Sequence, residues 1–184
     1  MRKGRIEIVV LCEDLQQQTF AYRFLKKAGM INGKFRAEVN YKGRGSGENY
    51  VRKNFVTQLK YYRSRQATSV LIVIIDGDTK GVKARMEELK QECNVHKEPF
   101  RRDNEVVMIA IPTRNIETWI YYLEGNAVDE STSYRKLRKQ SDCQSAVNQL
   151  SSLCRTAGLA NDAPESLVAA CEEYRERVKK SLRN

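Results

Sequence analysis

Asp76-Gly77-Asp78 and Glu13 are the residues whose types and spacing point most directly to chemistry. The aspartates follow Ser69–Ile75, a nearly unbroken Val, Ile and Leu run of the kind that is buried on both faces of a sheet. Two carboxylates one residue apart at the end of such a strand repel each other, and no basic residue follows them before Lys80. A divalent cation resolves the repulsion. Oxygen donors with no histidine or thiolate beside the aspartates select Mg²⁺ or Mn²⁺ over zinc, and Gly77 lets the backbone turn so that both face one ion. The competing reading is an ordinary strand-to-helix turn in which Asp78 caps the helix. Glu13 weighs against that reading, because it follows the apolar segment Arg5–Cys12 as the aspartates follow theirs. Neighbouring strands would bring Glu13, Asp76 and Asp78 around one metal.

The elements that must position these residues alternate between strand and helix periodicity. Arg5–Cys12 reads as a strand, and Leu15–Ala28, with Phe20, Phe24, Leu25 and Ala28 at helical spacing and Gly29 behind, reads as a helix. Phe35–Tyr41 is a second expected strand, followed by the loop Gly43, Gly45, Gly47 and a helix from about Glu48 to Arg65. After the third strand, Ser69–Ile75, come a helix over Val82–Cys93, a strand over Glu105–Ile111 stopped by Pro112, and a helix over Asn115–Leu123. Beyond Ser131 only helical signals remain, over Ala146–Leu153 and Ser166–Val178. The pattern predicts an α/β fold, a mostly parallel sheet flanked by helices with a helical C-terminal extension, and such sheets bind ligands at the carboxyl ends of their strands. An α/β core over 1–126 and a helical extension over 127–184, packed on the same domain, follow from it.

Leu11-Cys12-Glu13-Asp14 with Phe20 and Phe24, and Ile74-Ile75-Asp76-Gly77-Asp78, resemble the two motifs of the Toprim superfamily of topoisomerases, bacterial primases and OLD-type nucleases. Asp14 and the run Gln16–Gln18 depart from the usual first motif, which has Gly after the Glu and an acidic residue a few positions on. The segment from Ile111 through Pro112, Arg114 and Glu117 to Trp119 is similar to the Pro-x-x-x-x-Glu-x-Trp stretch of small Toprim-like proteins found beside ATPases in bacterial defence loci. This resemblance covers roughly Arg5 to Leu123. It implies an endonuclease of anti-phage defence that depends on Mg²⁺ or Mn²⁺ and cleaves DNA or RNA, with Glu13, Asp76 and Asp78 as metal ligands. Glu117 would be an auxiliary ligand or base, and Lys80 and Arg114 would contact phosphate. The alternative is a non-catalytic or partner-activated effector subunit of an ATPase complex. No tyrosine is marked as a nucleophile and no priming module is present, which disfavours strand transfer.

Other residues have plainer readings beside the functional ones. Glu117 suits the first turn of a helix, and Trp119 suits a core. The Lys42-Gly43-Arg44-Gly45-Ser46-Gly47 loop lacks the Gly-Lys-Ser/Thr ending of a nucleotide-binding loop, and serves as a connector or touches a phosphate backbone through Lys42 and Arg44. Arg135, Lys136, Arg138 and Lys139, with Tyr134, form a basic cluster that suits either strand binding or a solvated helix end.

A net charge of +10 makes nucleic acid the leading partner class, since a basic field attracts polyanions before any specific contact forms. The longest apolar run, Val70–Ile75, is too short to cross a bilayer, and no signal core follows Arg2 and Lys3, so a cytoplasmic protein without a membrane partner is expected. Cys12, Cys93, Cys143, Cys154 and Cys171 are widely spaced with no CxxC pair, and reduced thiols are expected rather than a zinc site or disulfide framework. His96, the single histidine, excludes chemistry needing two imidazoles.

Overall fold

The computed structural model describes residues 6–181 apart from 42, 44, 66, 67 and 157. Lys42 and Arg44, two of the expected phosphate contacts, lie outside the described residues. The fold is α/β. Four strands, β1 (Glu7–Cys12), β2 (Lys34–Val39), β3 (Ser69–Ile74) and β4 (Val107–Ala110), form one all-parallel sheet in the order β2-β1-β3-β4. Helices α1 (Leu15–Lys27), α2 (Gly47–Ser64), α3 (Gly81–Val95), α4 (Ile116–Leu123), α5 (Gln144–Thr156) and α6 (Glu165–Glu173) cover it.

Strand alternation divides the core in two. Ile8, Val10 and Cys12 of β1, Val70, Ile72 and Ile74 of β3, and Met108 and Ala110 of β4 face one apolar cluster, with Phe20 and Leu25 of α1, Trp119 and Ile120 of α4, Leu150 of α5 and Leu167 of α6. Val9, Leu11, Leu71, Val73, Val107 and Ile109 face the other, with Val51, Phe55 and Leu59 of α2 and Leu89 of α3. The continuous apolar runs of β1 and β3 are therefore required, since both faces of each strand are covered, and each buried Val, Leu or Ile contributes about 1.5–3 kcal/mol. The C-terminal helices belong to the first cluster and close one side of the sheet.

The edge strand β2 is only half-buried and carries Lys34, Arg36 and Glu38, which discourage pairing with another chain. Arg36 bonds Glu38 and Gln58 and lies over the Tyr61 ring. At the end of α1, Gly29 takes φ 72°, so that its N–H reaches Lys26 O and Met30 N–H reaches Leu25 O. That left-handed closure is open to glycine at no steric cost.

Two expectations need correction. The last helix is not uniform: α6 ends at Glu173 and Tyr174–Lys179 continue as a π-helical turn, with Tyr174 and Val178 both buried in the first cluster. Nor are all thiols reduced, because Cys154 of α5 and Cys171 of α6 form a disulfide with Cα atoms 5.1 Å apart. Their separation of 17 residues on successive helices gives no signal in the sequence pattern; only the folded structure brings the two together. No described helix is long and apolar enough to cross a membrane. Thiol titration of the denatured protein is expected to find three free cysteines before reduction, Cys12, Cys93 and Cys143, and five after it. Five at the outset would remove the bond from the fold.

Candidate metal centre

In the order β2-β1-β3-β4 the chain leaves β1 in one direction to form β2 and crosses to the other side to form β3. The carboxyl ends of β1 and β3 thus send their following loops apart, which is the position at which parallel sheets form a ligand-binding crevice. Glu13 and Asp76 stand at this point. Glu13 Oε1 accepts the Asp76 N–H at 2.7 Å, so the first acidic side chain is bound to the backbone that carries the second. Gln17, buried in the first turn of α1, spans the pair: its Oε1 accepts the Glu13 N–H at 2.9 Å and its Nε2 donates to Asp76 Oδ1 at 2.8 Å. Asp14 caps α1, its Oδ1 accepting the N–H groups of Gln16 and Gln17 at 3.0 Å each, and its Oδ2 receives Lys136 Nζ at 3.0 Å. Of the run Gln16–Gln18, it is Gln17 that holds the backbone of one acid and the carboxylate of the other.

Two glycines allow this geometry. A Cβ on Gly77 would stand 2.4 Å from Thr113 O, because the Asp-Gly-Asp turn lies against the β4–α4 loop, with Gly77 N–H bonded to Pro112 O and Asp78 N–H to Arg114 O. A Cβ on Gly47 would stand 2.7 Å from Glu13 Cβ and 2.8 Å from its Oε2. The amino terminus of α2 therefore approaches the Glu13 carboxylate, where its dipole favours negative charge. This contact of the glycine-rich loop has no signature in sequence, since Glu13 lies in a distant segment.

The electrostatics are those of buried acids with other acids nearby. Burial raises the Asp76 carboxyl well above its usual range, and Glu13, Glu117, Asp14 and Asp78 raise it further. Burial likewise lifts Glu13 to about 7, with Asp78 and Asp14 adding to the rise while the Asp76 N–H and Arg85 oppose it. Glu117, 2% exposed in the first turn of α4, is raised by burial and by Asp14, and among the described residues its Oε1 has no hydrogen-bond partner. The Cys12 thiol is pushed up by burial and by Asp14 and Glu13, which makes it a core residue and no nucleophile.

The remaining expected residues are placed unevenly. Asp78 adopts φ 50° and does not cap α3; it pairs with Arg85 Nη2 at 3.0 Å. The expectation that the aspartates lack a basic neighbour before Lys80 overlooked Arg85, which reaches back from the second turn of α3. Arg85 is 1% exposed, donates to Asp76 O at 2.9 Å, and also pairs with Glu48 and Glu88 at 2.8 and 2.6 Å. Only its fully buried setting marks it, and a lone arginine among helical charges gives no such signal in sequence. Lys80 is half-exposed with its ammonium on Glu88. Arg114 has a buried Nε with no acceptor among the described residues. Arg135, Lys136, Arg138 and Lys139 lie exposed in the α4–α5 connector and not on a helix, and of these Lys136 reaches the acidic site.

Among the described residues no three His, Cys, Asp or Glu side chains stand together as a finished metal cage. The donor chemistry nevertheless fits a hard divalent cation: the Glu13 carboxylate on the backbone of Asp76, a buried Glu117 oxygen with no partner among the described residues, and no imidazole among these groups.

Two outcomes follow from these charges. Because Glu13 holds its proton to about 7 against an ordinary value near 4.5, the native state binds more protons than the unfolded chain between those values. Its contribution to stability is full below about pH 4.5 and lost as pH rises to about 7. Chemical denaturation in EDTA should show stability falling over that window, less steeply in Glu13→Gln; a rising curve would contradict the raised value. Arg85→Met should cost roughly 1–3 kcal/mol in the same assay, since it removes charge-assisted hydrogen bonds to Glu48, Glu88 and the Asp76 carbonyl while Arg52 and Lys80 still partner the two glutamates. A change within error would mean that the network is solvated. No known protein family, curated protein or solved structure matches this chain in comparison.

Proposed function

We propose that the chain is a divalent-metal-dependent endonuclease that hydrolyses phosphodiester bonds of DNA or RNA. One observation carries the reading: two acidic residues stand at the carboxyl ends of adjacent parallel strands, the Glu13 carboxylate accepting the backbone N–H of Asp76, at the strand ends where such sheets bind ligands. A net charge of +10 around an acidic crevice supports a polyanionic substrate, because the cations draw the strand in while the carboxylates call for an ion between them and the phosphate.

Glu13, Asp76 and Asp78 would hold Mg²⁺ or Mn²⁺, which when bound supplies Lewis acidity toward the phosphate. Gln17 orients Asp76 and fixes the backbone of Glu13. Glu117 Oε1, unbonded and with a raised proton affinity, is suited to take the proton of an attacking water. Arg114 Nε is an unspent donor beside the Asp-Gly-Asp turn for a non-bridging phosphate oxygen. Lys80, engaged by Glu88, would have to leave that partner to reach a phosphate.

The Asp78–Arg85 pair supports a second reading, an effector subunit completed by a partner ATPase, since the third acid is engaged by an internal cation. The bacterial-defence setting rests on the Toprim resemblance. Incubating the purified chain with plasmid and with tRNA separates the two: the enzyme reading expects cleavage with Mn²⁺, none with EDTA, and a loss of at least about 10²-fold in Asp76→Asn. Cleavage that survives EDTA or Asp76→Asn would overturn it. A chain inert alone but active with an ATPase partner would favour the second.

A further inference from the structure

A cleft of about 270 Å³ opens beside the acidic site, bounded by Asp14, Leu15, Tyr41, Glu117, Lys136 and Leu137. Four large hydrophobic side chains are conspicuously exposed among the described residues, Leu15, Tyr22, Tyr41 and Val95, and two of them line this one cleft. Tyr41 is 64% exposed just beyond β2, with its hydroxyl tied to Gln18 Oε1 at 3.1 Å, so that the ring is held in place without being buried. Leu15 is 45% exposed in the first turn of α1, where the helix itself does not require an apolar residue. On another side the Lys136 ammonium is anchored by Asp14 and has two further N–H donors. Glu117, whose Oε1 has no partner among the described residues, also lines the cleft and links it to the proposed metal centre.

An aromatic face, a neighbouring apolar side chain and a fixed ammonium within one small cleft match the parts of a single nucleotide: a flat base, its sugar and a phosphate. We infer that this cleft seats one unpaired nucleotide of a single-stranded or locally opened nucleic acid, its base against Tyr41 and Leu15 and its phosphate at Lys136. The inference rests on the proposed nuclease reading for the identity of the strand, and it deepens that reading by naming the substrate class. A duplex offers Tyr41 no ring face, because its bases are paired and stacked inside, whereas an unpaired base stacks on an exposed aromatic with about 1–3 kcal/mol. The volume agrees with one nucleotide and no more, being just under the roughly 300 Å³ at which pockets for larger ligands begin.

The test measures binding in EDTA, where cleavage is suppressed, by fluorescence anisotropy of labelled single-stranded DNA, single-stranded RNA and duplex DNA at one fixed salt concentration. The wild type should bind one or both single strands roughly 5- to 150-fold tighter than duplex. Tyr41→Ala should remove that preference while leaving duplex affinity unchanged, and Tyr41→Phe should keep it, since the ring and not the hydroxyl makes the contact. The exposure of Tyr41 makes loss of folding no explanation for the alanine variant, and circular dichroism checks it. Equal affinity for duplex and single strands, an unaltered preference in Tyr41→Ala, or an equal loss in Tyr41→Phe would overturn the assignment. So would a free nucleoside monophosphate binding as tightly as the oligonucleotides, which would make the cleft a small-molecule site. Tyr41-dependent binding without cleavage in Mn²⁺ would defeat the hydrolytic reading and leave the seat standing; cleavage without strand preference would do the reverse.

Discussion

The hydrogen bond from Asp76 N–H to Glu13 Oε1 is the constraint on which the rest of the site depends. It joins the ends of two adjacent strands by seating the Glu13 carboxylate on the backbone of Asp76, in a setting where burial holds both carboxyls back from ionisation. Everything near it answers that strain. Gln17 donates to Asp76, the amino terminus of α2 approaches Glu13 through Gly47, and Arg85 draws Asp78 aside and donates to the Asp76 carbonyl. Each contact compensates part of the crowding, yet the Asp76 carboxyl remains raised well above its usual range. Groups kept in that condition are characteristic of sites that bind a cation or move a proton.

The internal charges also bear on how such a site would be assembled. Arg85 links Glu48 of α2, Glu88 of α3 and Asp78 of the turn, and Arg52 extends the network to Glu48 and Glu92. A cation at Glu13 and Asp76 would compete with Arg85 for Asp78. Through that pair helices α2 and α3, on one face of the sheet, would be coupled to the proposed ligands. On the other side the α4–α5 connector is tied down by Lys136 to Asp14, by Asn115 Nδ2 to Tyr134 O, and by Thr113 to Glu130. The crevice thus lies between two elements that respond to charge.

The sheet was legible in the sequence because its signal is local. Val70–Ile75 and Ile8–Cys12 are apolar at every position, which only burial on both faces explains, and the acids directly after them mark the strand ends. Trp119 was placed correctly in the core, where its Nε1 donates to Ser166 Oγ. Strand ends shifted by one or two residues, as at β2, expected over Phe35–Tyr41 and found over Lys34–Val39, because edge pairing and not composition sets them. What sequence did not disclose depends on contacts between distant segments: Arg85 against Asp78, Gly47 against Glu13, and Cys154 bonded to Cys171. Gln17 was visible only as an anomaly in a motif, and its role needed the position of Asp76.

The claim that a cation belongs between Glu13 and Asp76 is tested most directly by calorimetric titration of Mn²⁺ near neutral pH, in two buffers of different ionisation enthalpy. The wild type should bind saturably and release protons, since Glu13, raised to about 7, must give up its proton to become a ligand. Asp76→Asn should show neither binding nor release. Mn²⁺ binding of equal strength in wild type and Asp76→Asn, with no proton released, would contradict it.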